Sequence, residues 1–582
     1  MEIKCSRLKR NAVQVLALAL FMCSSITIFY APGISRYGND LKMTPHNVFR
    51  RSRTHPRFLL ERQTETSSYW EDHIGTAEKI VRWSETSTEV NFLKSAQNYS
   101  LQIGLLNFPR TGFSAWESLT GGQYPMVLDL EPVPRSLEWS KLFPEWIHEE
   151  EQWHKPQCPT LPMPLLEGGL KLDMVVGKVP CADKEGSKLR DARYLQLLLA
   201  AARTAVDTAI GNTTYVVIFS KCRPYIGLFR CSELVEHYGD IWLYKIDLTK
   251  MRKRLALPIG SCELAIPAKV GEEIQGASRE QGSRHEAYAT ILHSAENYVC
   301  GAIALAHSIR QSGSKRDLVI MVDRHIHFEH RVGLQKAGWK IREVKRIRNP
   351  KANDSAYNRW NYSKFRLWQL VEYEKIVFLD ADSIVLKNLD FLFDLPEISA
   401  TGNHDHLFNS GVMVVEPSNC TFQLLMSHIN KIDSYNGGDQ GYLNEFYPWW
   451  HRLPKRMNYL KLFLRNDTTD TQEKESMFGA NPSALYVLHY LGIKPWLCYK
   501  DYDCNWNRKA LHRFASDIAH AQWWKVHDEM PEDFQRQCYL SQKFKLRLEM
   551  DQRKAERDGY DDEHWKTRIL DPRLQLVHYF RT

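Results

Sequence analysis

The chain has 582 residues and a net charge of +8, from 77 Lys and Arg against 69 Asp and Glu. That length accommodates more than one domain and a sizeable core, and so mild a basic excess tolerates anionic ligands while falling well short of a nucleic-acid footprint. The 17 Trp, 26 Tyr and 24 Phe offer flat faces of the kind that carbohydrate surfaces use, although most belong to the core.

Lys4, Arg7, Lys9 and Arg10 precede a run from Ala12 to Tyr30 without charge, close to the roughly 20 residues that a spanning helix needs. The basic flank predicts a cytoplasmic tail over 1–11, a transmembrane anchor over 12–30 and a lumenal remainder. A cleaved signal peptide is the competing reading, which the lack of a clear small-x-small site disfavours. Residues 31–90, rich in Arg, Ser, Thr and His without sustained periodicity, read as a stem. Sequons at Asn98, Asn212, Asn353, Asn361, Asn419 and Asn466 agree with a lumenal location, some of them carrying glycan. Ten of the twelve cysteines lie beyond the anchor, and the close pairs Cys222 with Cys231 and Cys498 with Cys504 are candidate disulfides.

Residues 91–282 read as an N-terminal α/β module, with strand-like runs at Leu170–Val179, Tyr215–Ser220 and Ile241–Leu248. Leu195, Leu198, Leu199, Ala202, Val206 and Ile210 form a helical face among them. Nothing in this module names a chemistry, and the polar Gly271–Arg284 stretch is a candidate linker. A second α/β pattern covers 283–510. It starts with a strand at Ala287–Leu292 and a helix from near Ser294 or Ala295 that presents Val299, Ile303, Ala306 and Ile309. A strand at Leu318–Val322, a helix near Glu329–Ala337 and a strand at Trp339–Val344 follow. The alternation predicts a parallel sheet with a nucleotide-sized crevice at its carboxyl edge. No Gly-x-Gly-x-x-Gly or phosphate-loop Gly-Lys-Ser is present, so phosphates must be held by metal and side chains. The tail, 511–582, is a helical extension with a charge-laced segment at Phe544–Arg557, to which no chemistry is assigned.

Ile376–Leu379 is a short apolar run suited to a strand buried on both faces, and Asp380, Ala381 and Asp382 follow where it ends. Two carboxylates at i and i+2 around a small residue can converge on one hard cation. Four other clusters accompany them: Lys364, on a helical run with Leu367, Trp368 and Leu370; Asn409-Ser410-Gly411, at the edge of the strand Val412–Val415; Gly438-Asp439-Gln440-Gly441, at a helix start; and His489-Tyr490-Leu491-Gly492-Ile493-Lys494-Pro495-Trp496. Singly, each has an ordinary explanation: a core histidine, a helix cap, a turn, a solvated lysine. Their joint presence in this order points to one site.

The set resembles the retaining glycosyltransferases of family 8, the glycogenin-like group with a GT-A fold, over roughly residues 285 to 510. The resemblance implies a Rossmann-like nucleotide-sugar transferase domain in which Asp380, Asp382 and His489 bind Mn²⁺, with Ala381 between the carboxylates, and the metal bridges a UDP diphosphate. It implies Gly492 and Lys494 at the phosphates, Thr290 and Tyr298 at the uracil ring, and Lys364, Asn409, Asp439 and Gln440 around the donor sugar, with Asp439 and Gln440 as candidates to shield the reacting carbon. One residue, not two, separates Gly492 from Lys494. With Leu497 to Trp506, this resembles the plant glycogenin-like subgroup, whose better-understood members are Golgi glucuronosyltransferases acting on xylan. The expectation is therefore transfer of glucuronate from UDP-glucuronate to xylan by a single-pass type II Golgi membrane protein, in a complex with other Golgi transferases, with no nucleic-acid partner. Arg359, Arg366, His404 and His406 are open candidates for reading the donor carboxylate. Self-glucosylation from UDP-glucose is the alternative enzyme reading, and an inactive carbohydrate-binding or scaffold subunit is the alternative of another class.

Overall fold

A computed structural model describes residues 101–108, 125–149, 158–181, 189–266, 285–293, 296–464 and 468–574. The predicted tail, anchor, stem and linker fall outside these residues, as do Asn98, Asn466, Ser294 and Ala295. No helix among the described residues is long and apolar enough to cross a membrane.

The N-terminal module is built on a sheet of β1 (Ile103–Leu106), β2 (Met126–Leu128), β3 (Met174–Lys178), β4 (Thr213–Phe219), β5 (Leu234–Tyr238) and β6 (Ile241–Asp247), in the order β2-β1-β3-β4-β6-β5. The first four strands are mutually parallel, β6 is antiparallel to β4, and β5 is antiparallel to β6. Helix α1 (Ala192–Thr208) begins where the Asp191 side chain accepts the Tyr194 N–H, and it buries Leu195, Leu198, Leu199, Ala202 and Val206 on the sheet. Ile210 is not part of that face: Ala209 turns to extended backbone and Ile210 is left on the surface.

The second sheet runs β14-β12-β13-β10-β7-β8-β9. Its strands are β7 (Glu286–Leu292), β8 (Asp317–Val322), β9 (Trp339–Glu343), β10 (Lys375–Leu379), β12 (Ser399–Gly402), β13 (Phe408–Val415) and β14 (His451–Leu453). Strands β7 to β10 are parallel, and β13 is antiparallel to β10. Helix α2 (Val299–Gln311), entered through a 3-10 turn at Glu296–Tyr298, joins β7 to β8, and α3 (Phe328–Lys336) joins β8 to β9. After three strands laid outward in one direction, β10 returns to the other side of β7. A crevice opens at such a switch point, beyond the strands' carboxyl ends. Ile376, Val377, Phe378 and Leu379 are fully buried, each side chain contributing about 1.5–3 kcal/mol of apolar burial.

The two modules share one hydrophobic core, which runs from Leu195 and Phe229 to Trp368, Tyr442 and Trp450. Across the junction Arg230 meets Glu397 at 2.8 Å, with side chains 7% and 0% exposed. Glu397 also accepts from Trp368 Nε1 at 3.0 Å and from the Tyr447 hydroxyl at 2.7 Å. Burial raises its carboxyl above the usual range against the pull of Arg230. Arg230→Met would strand that carboxylate, and we expect it to destabilise the protein by about 3–5 kcal/mol in denaturant unfolding, with Arg230→Met/Glu397→Gln recovering part of the loss.

The disulfides correct one expectation. Cys498 pairs with Cys504, but Cys222 pairs with Cys181 and Cys231 with Cys420. Cys181 and Cys222 follow the ends of β3 and β4, neighbouring parallel strands, so sheet register rather than sequence distance brings them together. Cys158–Cys262 and Cys300–Cys538 complete the described set. Of the sequons, Asn212, Asn353 and Asn419 are exposed. Asn361 is partly buried against Gly438 and its Ser363 is buried, which leaves no room for glycan.

Candidate active site

Asp380 follows β10, and its backbone N–H donates to the Gly411 carbonyl on β13 at 2.9 Å. The chain then turns, Ser383 N–H reaching back to the Asp380 carbonyl at 3.1 Å, so that the two carboxylates swing toward each other across Ala381. Strand β11 (Ser383–Val385) continues into a small sheet with β15 (Tyr459–Leu460) and β16 (Val487–His489), in the order β11-β16-β15. Antiparallel register places Ser383 opposite His489, which brings the distant imidazole to the carboxylate pair. Ligand atoms of Asp380, Asp382 and His489 all lie within 4.8 Å of one another. His489 Nε2 is 3.2 Å from Asp382 Oδ1.

The neighbours of His489 show which nitrogen faces the pair. Asn458 Nδ2 donates to Asn409 Oδ1 at 2.8 Å, so Asn458 Oδ1 is the acceptor at 3.0 Å from His489 Nδ1. The Nδ1 proton therefore goes to Asn458, and Nε2 turns its lone pair toward the carboxylates. Two carboxylates and a lone pair converging on one point are a donor set that a divalent cation fits. Asp380 keeps 29% of its side chain exposed against 12% for Asp382, so the site opens to the crevice on the Asp380 side.

Gly411 leaves the imidazole its space: a Cβ there would lie 2.5 Å from His489 Cε1. We expect Gly411→Ala to displace the ring and weaken divalent-cation binding by about 10- to 100-fold in calorimetric titration, with the fold retained.

Two buried lysines flank the triad. Lys494 Nζ lies 2.6 Å from Asp382 Oδ2, and the left-handed turn at Gly492, with φ of 78°, delivers it there across the short spacing. Burial opposes ionisation of Asp382, but the Lys494 ammonium outweighs it and holds the carboxyl well below its usual range. Lys364 Nζ lies 2.7 Å from Asp439 Oδ2 and 3.2 Å from Asp380 Oδ1, on a 3-10 helix over Tyr357–Gln369. Burial alone would lower its pKa, yet Asp380 and Asp439 raise it. Asp380 itself is raised by burial, against Lys364 and with the help of Asp382.

Helix α4 (Asp439–Phe446) starts at the site, and Asp439 accepts from Ser410 Oγ at 3.0 Å. Gln440 Oε1 accepts the Ser410 N–H at 3.1 Å and its Nε2 meets the Tyr435 hydroxyl at 2.5 Å. Asn409 Oδ1 accepts from Asn458 and from the Gly411 N–H, which leaves its own amide protons to donate.

The uracil pair is split. Tyr298 stands beside Trp496, ring centroids 5.8 Å apart, with Lys494 Nζ 6.0 Å from its ring. Thr290 is fully buried inside β7, opposite Ile320 and short of the strand end, its Oγ1 without a hydrogen-bond partner among the described residues. At that end stands His293, which no motif singled out. Desolvation pushes its imidazole down to about 4, while the charges of Asp439, Lys364, Arg346 and Asp323 act on it. Arg346, likewise missed, stacks on Trp360 with its guanidinium 4.4 Å from the ring, and Arg359 stacks there at 4.7 Å. Arg366 turns away to Gln369 and the Lys345 carbonyl, and His404 and His406 pair with Glu145 and Asp405. The C-terminal extension, to which no chemistry was assigned, braces the motif loop: Arg573 donates to the Trp496 and Cys498 carbonyls.

A family model described as Glycosyl transferase family 8 matches residues 289–401, and one described as the GUX1-5 N-terminal domain matches 74–262. UDP-glucuronate:xylan alpha-glucuronosyltransferase 1 of Arabidopsis thaliana is 48% identical over 579 residues, 98% of this chain and 83% of that protein. The putative UDP-glucuronate:xylan alpha-glucuronosyltransferase 3 of the same plant is 51% identical, with 86% and 81% covered. Glycogenin-1 of Caenorhabditis elegans is 33% identical over 36% of this chain and 51% of its own. With the family match, the second sheet is a GT-A-like α/β glycosyltransferase domain.

Proposed function

The chain belongs to glycosyl transferase family 8, together with the UDP-glucuronate:xylan alpha-glucuronosyltransferases, and we propose that it transfers glucuronate from UDP-glucuronate to xylan with retention, in a Mn²⁺-dependent reaction. The observation that carries this reading is the convergence of Asp380, Asp382 and His489 between two buried lysines, in a chain 48% identical to a xylan transferase.

Oxygen donors with one imidazole suit Mn²⁺. A divalent cation held by Asp380, Asp382 and His489 supplies charge neutralisation for a diphosphate leaving group. Lys494 stands next to that charge and stabilises what develops on the departing UDP. Lys364 Nζ and Ser410 Oγ both hold Asp439 Oδ2, so Asp439 is oriented before the donor arrives. Asp439 and Gln440, side by side at the start of α4, stabilise positive charge at the anomeric carbon, and the Asn409 amide donates to the sugar's hydroxyls. Asp380 is not free to act as a base, since Lys364 engages it.

The uncharged run over 12–30 with its basic flank, and the described disulfides, support a type II Golgi membrane protein with a lumenal catalytic domain. The purified protein, given Mn²⁺ and xylo-oligosaccharide, is expected to turn over UDP-glucuronate and release a product heavier by one glucuronate. Turnover only with UDP-glucose or UDP-galactose, or glucose added to the chain itself, would overturn the assignment.

A further inference from the structure

We propose that Trp146 of the N-terminal module is a stacking platform in an acceptor subsite that extends the catalytic cleft and binds a neutral pyranose chain some sugars away from the one modified. The occupant, xylan, rests on the function proposed above; the site rests on the following geometry.

Trp146 is 52% exposed, more than any other Trp among the described residues. Trp139, Leu142, Phe143 and Ile147, its neighbours in the chain, are buried, so the segment is anchored while about half of this one indole stays in solvent. An anchored, exposed indole costs little ordering entropy on binding, and its face suits the C–H face of a pyranose.

The platform straddles the module junction. Lys455 Nζ lies 5.1 Å from the Trp146 ring, and the Lys455 N–H donates to Glu149 Oε2 at 2.7 Å. Glu145, beside Trp146, lies 3.9 Å from His404 Nδ1. Both partner segments lead into the active site. The loop holding His404 runs into β13, which carries Asn409. The 3-10 turn Lys455–Met457 runs into Asn458, which holds both Asn409 and the His489 ring. The module therefore meets the site on its β12 and β14 side, and that is the side on which we place the continuation of an acceptor longer than one sugar.

The rim chemistry chooses the occupant. Glu145 and Glu149 offset Lys455, and His148 packs edge-on to the indole at 4.1 Å. Such a rim offers donors and acceptors for hydroxyl groups without a single-sign field, which suits a neutral polysaccharide and not a polyanion. The N-terminal module thus holds the polymer while the GT-A-like domain performs transfer.

The test is steady-state transfer from UDP-glucuronate to xylo-oligosaccharides of increasing length, by the wild-type chain and by Trp146→Ala and Trp146→Phe, with melting temperatures as the folding control. Trp146→Ala is expected to raise KM for long acceptors by about 5- to 10-fold. KM for short acceptors, KM for UDP-glucuronate and kcat should stay unchanged, and Trp146→Phe should restore most of the loss. An unchanged KM for long acceptors in a folded Trp146→Ala, or an equal loss at every acceptor length, would overturn the subsite while leaving the function intact. Wild-type protein that transfers to no xylo-oligosaccharide would instead overturn the function, and the xylan occupant with it.

Discussion

Asp382→Asn is expected to lower kcat/KM by roughly 10³-fold or more, because one substitution takes the charge from a proposed metal ligand and from the partner of a buried lysine. Asp382 Oδ1 faces His489 Nε2 and Oδ2 faces Lys494 Nζ. An amide can accept from Lys494 only by turning its N–H₂ toward His489 and the metal position, and the reverse turn points that N–H₂ at the ammonium. The first orientation gives the amide N–H to the Nε2 lone pair and so closes the cation position, the second sets N–H against ammonium, and the charge is lost in both. Circular dichroism should show the fold retained, since the β11 to β16 pairing uses backbone groups. Activity within a few-fold of wild type would remove Asp382 from the mechanism.

Lys364→Met carries the second large effect, expected at about 10²- to 10³-fold in kcat. Lys364 is 4% exposed and sits between Asp380 and Asp439. Without it, the buried Asp439 and the partly exposed Asp380 lose their shared counter-charge, and Asp439 keeps only Ser410 Oγ to orient it. A stability loss of about 3–5 kcal/mol should accompany the rate loss. Because Lys364 and Asp439 act as one unit, the double variant Lys364→Met/Asp439→Asn should cost much less than the sum of the two single changes. Additive losses would mean that the pair does not work together.

What the sequence disclosed followed from local regularity. Asp380 and Asp382 were visible because an apolar strand pattern stops at them, and Asp439 because Gly438 marks a helix start. His489 was visible through the Gly492, Lys494, Pro495 and Trp496 that follow it. Links made through tertiary contact were not visible. Asn458, which sets the His489 ring, carries no signal of its own, and Ser410 stood in a quoted cluster with nothing to show that it links Lys364 to Asp439. His293 and Arg346 lie at the carboxyl edge only because β7, β8 and β9 are parallel neighbours. The same limit produced the Cys222 with Cys231 expectation: proximity in sequence says nothing of Cys181, which sheet register places next to Cys222. Arg366 was an open candidate for the donor carboxylate, but two residues along a 3-10 helix turn it about 120° from Lys364, onto Phe422.

The central claim is that Asp380, Asp382 and His489 hold the cation on which glucuronate transfer depends. The most direct measurement strips the purified protein of metal with a chelator, titrates Mn²⁺ back, and follows transfer from UDP-glucuronate to a xylo-oligosaccharide. The expected result is an inactive stripped protein that regains full transfer as one Mn²⁺ binds per chain, with no such recovery in Asp382→Asn. Full transfer by the metal-free protein, or recovery in Asp382→Asn equal to wild type, would contradict it.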